Sequence, residues 1–174
     1  IAGRTSKTVE LRIKPVKGNE GIALSLGDTT ADANGLQLTL DKYEGNDISS
    51  SNDASTFGRI NLEQNGAVRA STPYFPLYNG DFWNLHLMGT GTDVNFGAYQ
   101  TNHLKNTFKY TGTWDSNNFA LTFGANSGAG RNYVYGGVNG YNGSIQELKC
   151  NWGEELTDTT LTKHSFEPFM YAGN

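Results

Sequence analysis

The segment TVELRIK, residues 8–14, alternates strictly between apolar and charged side chains. Val9, Leu11 and Ile13 share one parity, and glutamate, arginine and lysine occupy the positions after them. Because successive side chains of a strand point to opposite faces, this alternation is typical of a half-buried antiparallel strand. It predicts a sheet that packs one face against a core and presents a charged outer face.

The same alternation recurs along the chain, and turn sequences rich in Gly, Asn and Asp separate the segments. The segments are GIALSL at 21–26, GLQLTL at 35–40, GRINLE at 58–63, DFWNLHL at 81–87 and NFALTF at 118–123. With 22 Gly, 4 Pro and 12% aromatic residues, the composition favours strands joined by tight turns. Together these features predict an all-β fold, a jelly roll of two antiparallel sheets packed as a β-sandwich.

Two long polar segments interrupt this pattern. Residues 41–56 are acidic and rich in Ser and Asn, and residues 124–142 combine Gly with Tyr and Asn. We expect both to be surface loops, with a strand in the middle of the second at residues 132–137.

Length and charge limit the classes of function. The 174 residues suit a single domain, 1–174, and the start at Ile1 without Met suggests a fragment of a larger protein. A net charge of −4 and the lack of a basic cluster argue against nucleic-acid binding. No apolar run is long enough for membrane insertion. The single cysteine, Cys150, excludes an internal disulfide.

The segment GSIQELKCNW, residues 143–152, is a strand whose alternation changes phase. Ile145 and Leu148 have opposite parity, so both can face the core only if a β-bulge lies near Gln146 and Glu147. Cys150 has the parity of Leu148, which predicts a buried and inert thiol.

One short C-terminal helix follows this strand. Thr157 is placed to cap its N-terminus, and Asp158 lies in the first turn, where a carboxylate suits the helix dipole. Pro168 is expected to end the helix.

The whole C-terminal segment resembles the signature of laminin-G-like domains, members of the concanavalin A-like lectin/glucanase superfamily. The resemblance rests on the strand GSIQEL, the segment LTDTTLTKHSFEP and the terminal YAGN. Upstream, TVELRIKP with GIALSLGD, GLQLTL, GRINLEQNG and PLYNGDFWNLHL are similar to the earlier strands of such domains. The versions that it most resembles occur in structural proteins of large DNA viruses and phages. The resemblance implies a concanavalin A-like jelly roll whose C-terminal segment completes the sandwich.

Motifs for catalysis are weak in this chain. The superfamily includes glucanases with an E-x-D-x-E pattern on one strand, which the sequence lacks, and Glu147 has no alternating acidic partner. His86, His103 and His164 are scattered without metal-ligand spacing, and His86 has the outward parity of its strand. No G-x-S-x-G motif is present. We therefore expect a protein that is not an enzyme.

Calcium is the cofactor that the resemblance suggests, because many laminin-G-like domains bind Ca²⁺ through a loop Asp and backbone carbonyls. Asp28, Asp32 and Asn34 offer hard oxygen ligands in the segment GDTTADANG, residues 27–35. Ordinary turn chemistry explains these residues equally well.

Sugar binding needs an aromatic ring beside planar polar groups, because sugars present apolar C–H faces and paired hydroxyls. The candidate ligand-binding residues lie in predicted loops and are Tyr74, Tyr78, Tyr99, Asn102, Asn126, Arg131 and Tyr141. The alternative is that such aromatic residues pack inside the fold, as we expect for Phe75 and Leu77 at one end of the sandwich.

The leading functional hypothesis is a non-catalytic carbohydrate-binding module on the surface of a virion, which attaches to host surface glycans. Weak single sites would act together through many copies or a homo-oligomer. A structural module that binds neighbouring virion proteins is the main alternative. A secreted, extracellular adhesion domain is another.

Overall fold

In the computed structural model, the residues described are 6–18, 21–26, 35–43, 56–90, 93–100, 105–111, 121–123, 144–152, 157 and 159–161. Within them the chain forms ten strands and one helical turn at residues 159–161. The strands are β1 (Ser6–Lys14), β2 (Gly21–Leu26), β3 (Leu36–Lys42), β4 (Gly58–Gln64), β5 (Ala67–Ser71), β6 (Trp83–Thr90), β7 (Asp93–Tyr99), β8 (Lys105–Thr111), β9 (Leu121–Phe123) and β10 (Ser144–Trp152).

The strands form two five-stranded sheets. Sheet A has the order β10-β1-β6-β7-β8, and sheet B has the order β5-β4-β3-β2-β9. Every pairing is antiparallel. This confirms the prediction of an all-β jelly roll with two antiparallel sheets.

The core lies between the inner faces of the two sheets. On sheet A, Leu11 pairs with Leu85, and on sheet B, Leu38 pairs with Leu62. All four side chains are fully buried in one continuous apolar cluster. The alternating residues of the sequence therefore supply the core as predicted, and burial of their apolar surface is the main source of stability.

The predicted β-bulge in the last strand is confirmed. Arg12 pairs with Glu147 and Ile13 pairs with Ile145, which leaves Gln146 as the extra residue. A second irregularity, in β2, was not predicted: Ile22 pairs with Thr39 and Leu24 pairs with Leu38, so that Ala23 is inserted between them. A bulge of this kind interrupts strict alternation, and Ala23 and Leu24 are consequently both buried.

The central part of the outer face of sheet A is closed to solvent. His86 lies between the core residues Leu85 and Leu87, which confirms its outward parity. Its side chain is nevertheless fully buried, and Glu10, which pairs with it on β1, is buried as well. Asn84 donates a hydrogen bond from Nδ2 to Oε1 of Glu10 at 2.8 Å. Leu161, from the helical turn, packs in a second apolar cluster with Met88 and Tyr99. The C-terminal turn thus covers the part of this outer face that Met88 and Tyr99 form.

Thr157 caps the helical turn as predicted. Its Oγ1 accepts a hydrogen bond from the backbone N–H of Thr160 at 3.3 Å, and its carbonyl accepts one from the N–H of Leu161 at 2.9 Å. The first bond satisfies a backbone donor that has no partner within the helix. Asp158 and the predicted end at Pro168 lie outside the described residues, and so do most of the two long polar segments.

Cys150 contradicts the prediction of a buried thiol, because it is exposed. Its pairing with Val9 gives it the core-facing parity, but β10 is the edge strand of sheet A and, among the described strands, has a neighbour on only one side. Partial burial still raises the pKa of the Cys150 thiol above its ordinary value, because desolvation disfavours the thiolate. None of the described helical residues belongs to a segment long and apolar enough to cross a membrane.

Candidate ligand-binding surface

The outer face of sheet B differs from that of sheet A, because it carries partly exposed polar groups on β3 and β4. The residues that alternate with the core leucines of β3 point outwards and pair with outward residues of β4. These pairs are Gln37 with Glu63, Thr39 with Asn61, and Asp41 with Arg59. The register therefore sets three polar pairs side by side on one face.

Aromatic and charged side chains meet at one end of this face, in a group that we call the Tyr74 corner: Asp41, Tyr43, Arg59 and Tyr74. Arg59 donates from Nε to Oδ2 of Asp41 at 3.0 Å, and their side chains are 34% and 37% exposed. The guanidinium carbon of Arg59 lies 4.9 Å from the centroid of the Tyr74 ring. The ring of Tyr43 meets that of Tyr74 edge to face, with 4.8 Å between centroids.

The chain that follows β5 determines where Tyr74 points. The backbone groups of Phe75 and Gly58 exchange two hydrogen bonds of 2.9 Å, so residue 75 extends the pairing beyond β4. Phe75 faces the core, where its ring packs edge to face against Trp83 at 5.0 Å. The neighbouring Tyr74 consequently faces outwards and remains 36% exposed. Leu77 is buried in the same core, as predicted for this end of the sandwich.

Tyr78 supports the Tyr74 corner from beneath. Its side chain is only 8% exposed, and its hydroxyl donates to the backbone carbonyl of Asp41 at 3.2 Å. The ring lies against Gly58, where the lack of a side chain allows the close approach. Tyr78 therefore fixes the backbone that carries Asp41.

A second polar group, the Glu63 cluster, consists of Gln37, Thr39 and Glu63. Gln37 donates from Nε2 to Oε2 of Glu63 at 2.7 Å, and the Thr39 hydroxyl donates to Oε1 of Glu63 at 2.9 Å. Glu63 lies four residues after Arg59 on β4, so their Cα atoms are about 13 Å apart along the strand, and Thr39 of the cluster lies between these two levels. The outer face of sheet B thus has two polar ends with a carboxylate at each.

The structure brings together only part of the predicted site. Tyr74 lies in the corner that bears its name, and Tyr78 lies below it. The prediction that Tyr99 lies in a loop is wrong: it ends β7 on sheet A, is 2% exposed, and packs 5.3 Å from His86 between ring centroids. The other predicted ligand and metal residues lie outside the described part of the chain. They are Asn102, Asn126, Arg131 and Tyr141, and Asp28, Asp32 and Asn34.

Sequence reasoning missed Asp41, Tyr43, Arg59 and Glu63, although a signal was available. Asp41 in β3 and Arg59 and Glu63 in β4 have the parity opposite to that of the core leucines, and Tyr43 continues this parity just after β3. All four are polar or aromatic. Only the register of the two strands shows that they are neighbours. Among the residues that the structure describes, no three His, Cys, Asp or Glu side chains are grouped to hold a metal ion.

Comparison with known proteins identifies the fold but no relative in sequence. No family profile matches the chain, and no characterised protein matches it in sequence at a significant level. Among solved structures, a heptameric SAP-like pentraxin from Limulus polyphemus is similar, with a TM-score of 0.62 and 15% identity. That similarity covers 93% of this chain and 70% of the pentraxin chain.

Two further structures are similar over nearly the whole chain. The enzymatically active domain of tailspike protein 2 from bacteriophage CBA120 has a TM-score of 0.61 and 17% identity, covering 94% of this chain. This chain spans only 24% of that tailspike chain. Domain 4 of AbnA, a GH43 extracellular arabinanase from Geobacillus stearothermophilus, was solved in complex with arabinotriose. It has a TM-score of 0.54 and 15% identity, with 95% of this chain and 68% of that one covered.

Laminin LG domains are also among the similar structures, which confirms the resemblance drawn from the C-terminal segment at the level of the fold. The low identities show a shared architecture and do not transfer a function. The chain therefore has the concanavalin A-like jelly-roll fold that laminin LG domains, the pentraxin and the tailspike domain share.

Proposed function

We propose that this chain is a non-catalytic carbohydrate-binding module that serves in attachment. The observation that carries the proposal is the Tyr74 corner, where a partly exposed aromatic ring lies beside an ion pair on an outward sheet face. An aromatic ring packs against the apolar C–H face of a sugar. The carboxylate of Asp41 can accept hydrogen bonds from sugar hydroxyls, and the guanidinium of Arg59 can donate hydrogen bonds to adjacent ones.

The similar structures favour the same class of function. The arabinanase domain was solved with a bound trisaccharide, and the tailspike belongs to a phage. By analogy, the chain would act outside cells, on a virion surface or in a secreted protein, with host surface glycans as its ligands. Sugar affinities near millimolar correspond to only about −4 kcal/mol, so such a module would need many copies, as in a homo-oligomer. Ca²⁺ bound by Asp28, Asp32 and Asn34 is part of this proposal.

A protein-interaction module remains the second candidate, and one feature favours it. Strand β5 is at the edge of sheet B, and Val68 on this strand is 52% exposed. Exposed sheet edges can pair with another chain. In that case, neighbouring proteins of a virion rather than glycans would be the partners.

A glycan screen distinguishes the two candidates. The full chain would be coupled to beads in many copies and exposed to an array of glycans, with Ca²⁺ and with chelator. We expect selective binding that Tyr74→Ala abolishes and Tyr74→Phe retains, because phenylalanine keeps the ring. Val16→Ala, at an exposed apolar residue outside sheet B, is the matched control. Lack of binding to every glycan under both conditions would overturn the proposal, and loss of binding with chelator alone would support the Ca²⁺ site.

A further inference from the structure

Arg59 has hydrogen-bonding capacity that its neighbours in the Tyr74 corner do not use. We infer that its two terminal nitrogens bind the carboxylate of an acidic sugar, so that the ligand of the Tyr74 corner is a sugar with a carboxyl group. This inference rests on the proposed function and specifies the class of ligand that the same site takes.

Asp41 occupies only one of the five N–H groups of Arg59. A guanidinium presents these donors in a planar fork, one on Nε and two on each terminal nitrogen, Nη1 and Nη2. The contact with Asp41 uses Nε, at 3.0 Å from Oδ2. Within the part of the chain that the structure describes, neither terminal nitrogen donates a hydrogen bond, and neither is among the buried polar atoms that lack a partner. The end of the fork is therefore accessible to a ligand.

The neighbours of Arg59 hold the guanidinium in position. Its carbon lies 4.9 Å from the centroid of the Tyr74 ring, a distance at which a cation and an aromatic face attract each other. Tyr43 supports the Tyr74 ring edge to face, and the hydroxyl of Tyr78 fixes the backbone of Asp41. An arginine that is already held in this way loses less rotamer freedom when it binds a ligand.

A carboxylate matches the accessible end of the fork. One oxygen can accept a hydrogen bond from Nη1 and the other from Nη2, in the bidentate arrangement that suits arginine and a planar carboxylate. Hydrogen bonds between charged groups are about twice as strong as those between neutral groups. Two hydroxyls of a neutral sugar can also accept from these nitrogens, but they carry no charge. Arg59 therefore favours a carboxylate over hydroxyls at this position.

The negative charge of Asp41 does not prevent this contact. The end of the fork points in a different direction from the Nε–H bond of Arg59, so a carboxylate bound there lies closer to the guanidinium than to the carboxylate of Asp41. Electrostatic energy falls with distance, and the nearer attraction exceeds the more distant repulsion. Asp41 keeps lone pairs that can accept from a hydroxyl of the same sugar. An acidic sugar thus satisfies both charged side chains, with its ring beside Tyr74.

Titrations with matched sugars test the inference. The probes are the methyl glycosides of galacturonic acid and of N-acetylneuraminic acid, the methyl ester of each, and galactose 6-sulfate. The full chain would be isotope-labelled, and the Nε–H signal of Arg59 and the ring signals of Tyr74 would be followed by NMR. Chelator would be present throughout, because a contact between carboxylate and guanidinium needs no metal ion.

Three variants separate the fork from its charge. Arg59→Lys keeps the charge but lacks the fork, and Arg59→Gln removes both. Arg69→Gln removes an exposed arginine of β5 and is the matched control. Thermal melting would show that each variant is folded.

We expect at least one of the two acids to bind about tenfold more tightly than its ester, the change that hydrogen bonds to a charged group can give. Which acid does so distinguishes a uronic acid from a sialic acid. Arg59→Lys and Arg59→Gln should each remove most of this preference, whereas Arg69→Gln should retain it.

Several results would overturn the inference alone. They are equal affinity for acid and ester in both pairs, a full preference for the acid in Arg59→Lys, tighter binding of galactose 6-sulfate than of either acid, and selection of only neutral glycans in the bead screen. Failure of every glycan to bind in the bead screen would instead overturn the proposed function.

Discussion

Replacing Gly58 by alanine is expected to destabilise the fold and to disturb the support of the Tyr74 corner. A Cβ atom at residue 58 would lie 2.5 Å from the carbonyl oxygen of Asp41 and would collide with the ring of Tyr78. Both neighbours are constrained. Asp41 belongs to the β3 ladder, where it pairs with Arg59, and the hydroxyl of Tyr78 donates to the same carbonyl oxygen.

The size of the effect follows from these contacts. Forcing an extra carbon into a packed site typically costs about 1–3 kcal/mol. Moving the Tyr78 ring aside would also lose its 3.2 Å hydrogen bond, for about 1 kcal/mol. Alanine reduces the freedom of the unfolded chain, which offsets roughly 0.5 kcal/mol. We expect a net loss of about 2–3 kcal/mol, or a fall in Tm of about 5–10 °C for a chain of this size.

Thermal and urea unfolding of the wild type, Gly58→Ala, Tyr78→Ala and the double variant would measure this loss. Because the ring contributes much of the collision, Gly58→Ala should cost less when Tyr78 is already alanine. A cost within about 0.5 kcal/mol of zero in the wild-type background would refute the packing argument. The same cost in both backgrounds would show that Tyr78 has no part in it.

Three further outcomes can be checked independently. Thr157→Ala should lower the free energy of unfolding by about 1 kcal/mol through loss of the cap, whereas Thr159→Ala should have less effect. Equal effects of the two variants in thermal melts would contradict the capping role of Thr157. Leu161→Ala should lower the free energy of unfolding by about 2–3 kcal/mol, because the side chain is fully buried against the outer face of sheet A. An unchanged Tm would show that the helical turn contributes no packing energy. Cys150 should react slowly with a thiol reagent at neutral pH and faster only above the pH at which an ordinary thiol ionises, because its pKa is raised. The folded chain binds the thiol proton more tightly than the unfolded chain does, so the free energy of unfolding should fall as the pH rises through this range. A pH midpoint of the thiol reaction below that of a free thiol would contradict the raised pKa.

Alternating segments of the sequence were sufficient to predict the class of fold. Val9, Leu11 and Ile13 face the core as expected, and the phase change in the last strand correctly required a bulge at Gln146. These predictions succeeded because alternation and parity are local properties of a strand that burial then enforces.

Other features could not be obtained in this way. Strands β5, β7 and β8 were missed, and with β7 the position of Tyr99, because polar and small residues dilute the pattern there. The exposure of Cys150 depends on β10 being an edge strand, which parity does not reveal. The burial of His86 depends on what covers the outer face of sheet A, which the outward parity of this residue does not reveal.

The candidate site was predicted only through Tyr74. Its neighbours Asp41 and Arg59 are 18 positions apart in the chain, and the register of β3 and β4 brings them together. The sequence predicts ligand-binding residues in loops, whereas the structure places most of this surface on strands. Long-range pairing therefore decides the site, and no local pattern contains that information.

The most direct test of the central claim is to locate the bound sugar on the surface. Backbone and side-chain NMR signals of the labelled chain would be recorded while the glycan that binds in the bead screen is added. We predict that the signals of Asp41, Arg59 and Tyr74 shift progressively, whereas those of Glu10 and His86 on the outer face of sheet A remain unchanged. Shifts confined to other parts of the molecule, with the Tyr74 corner unaffected, would contradict the account.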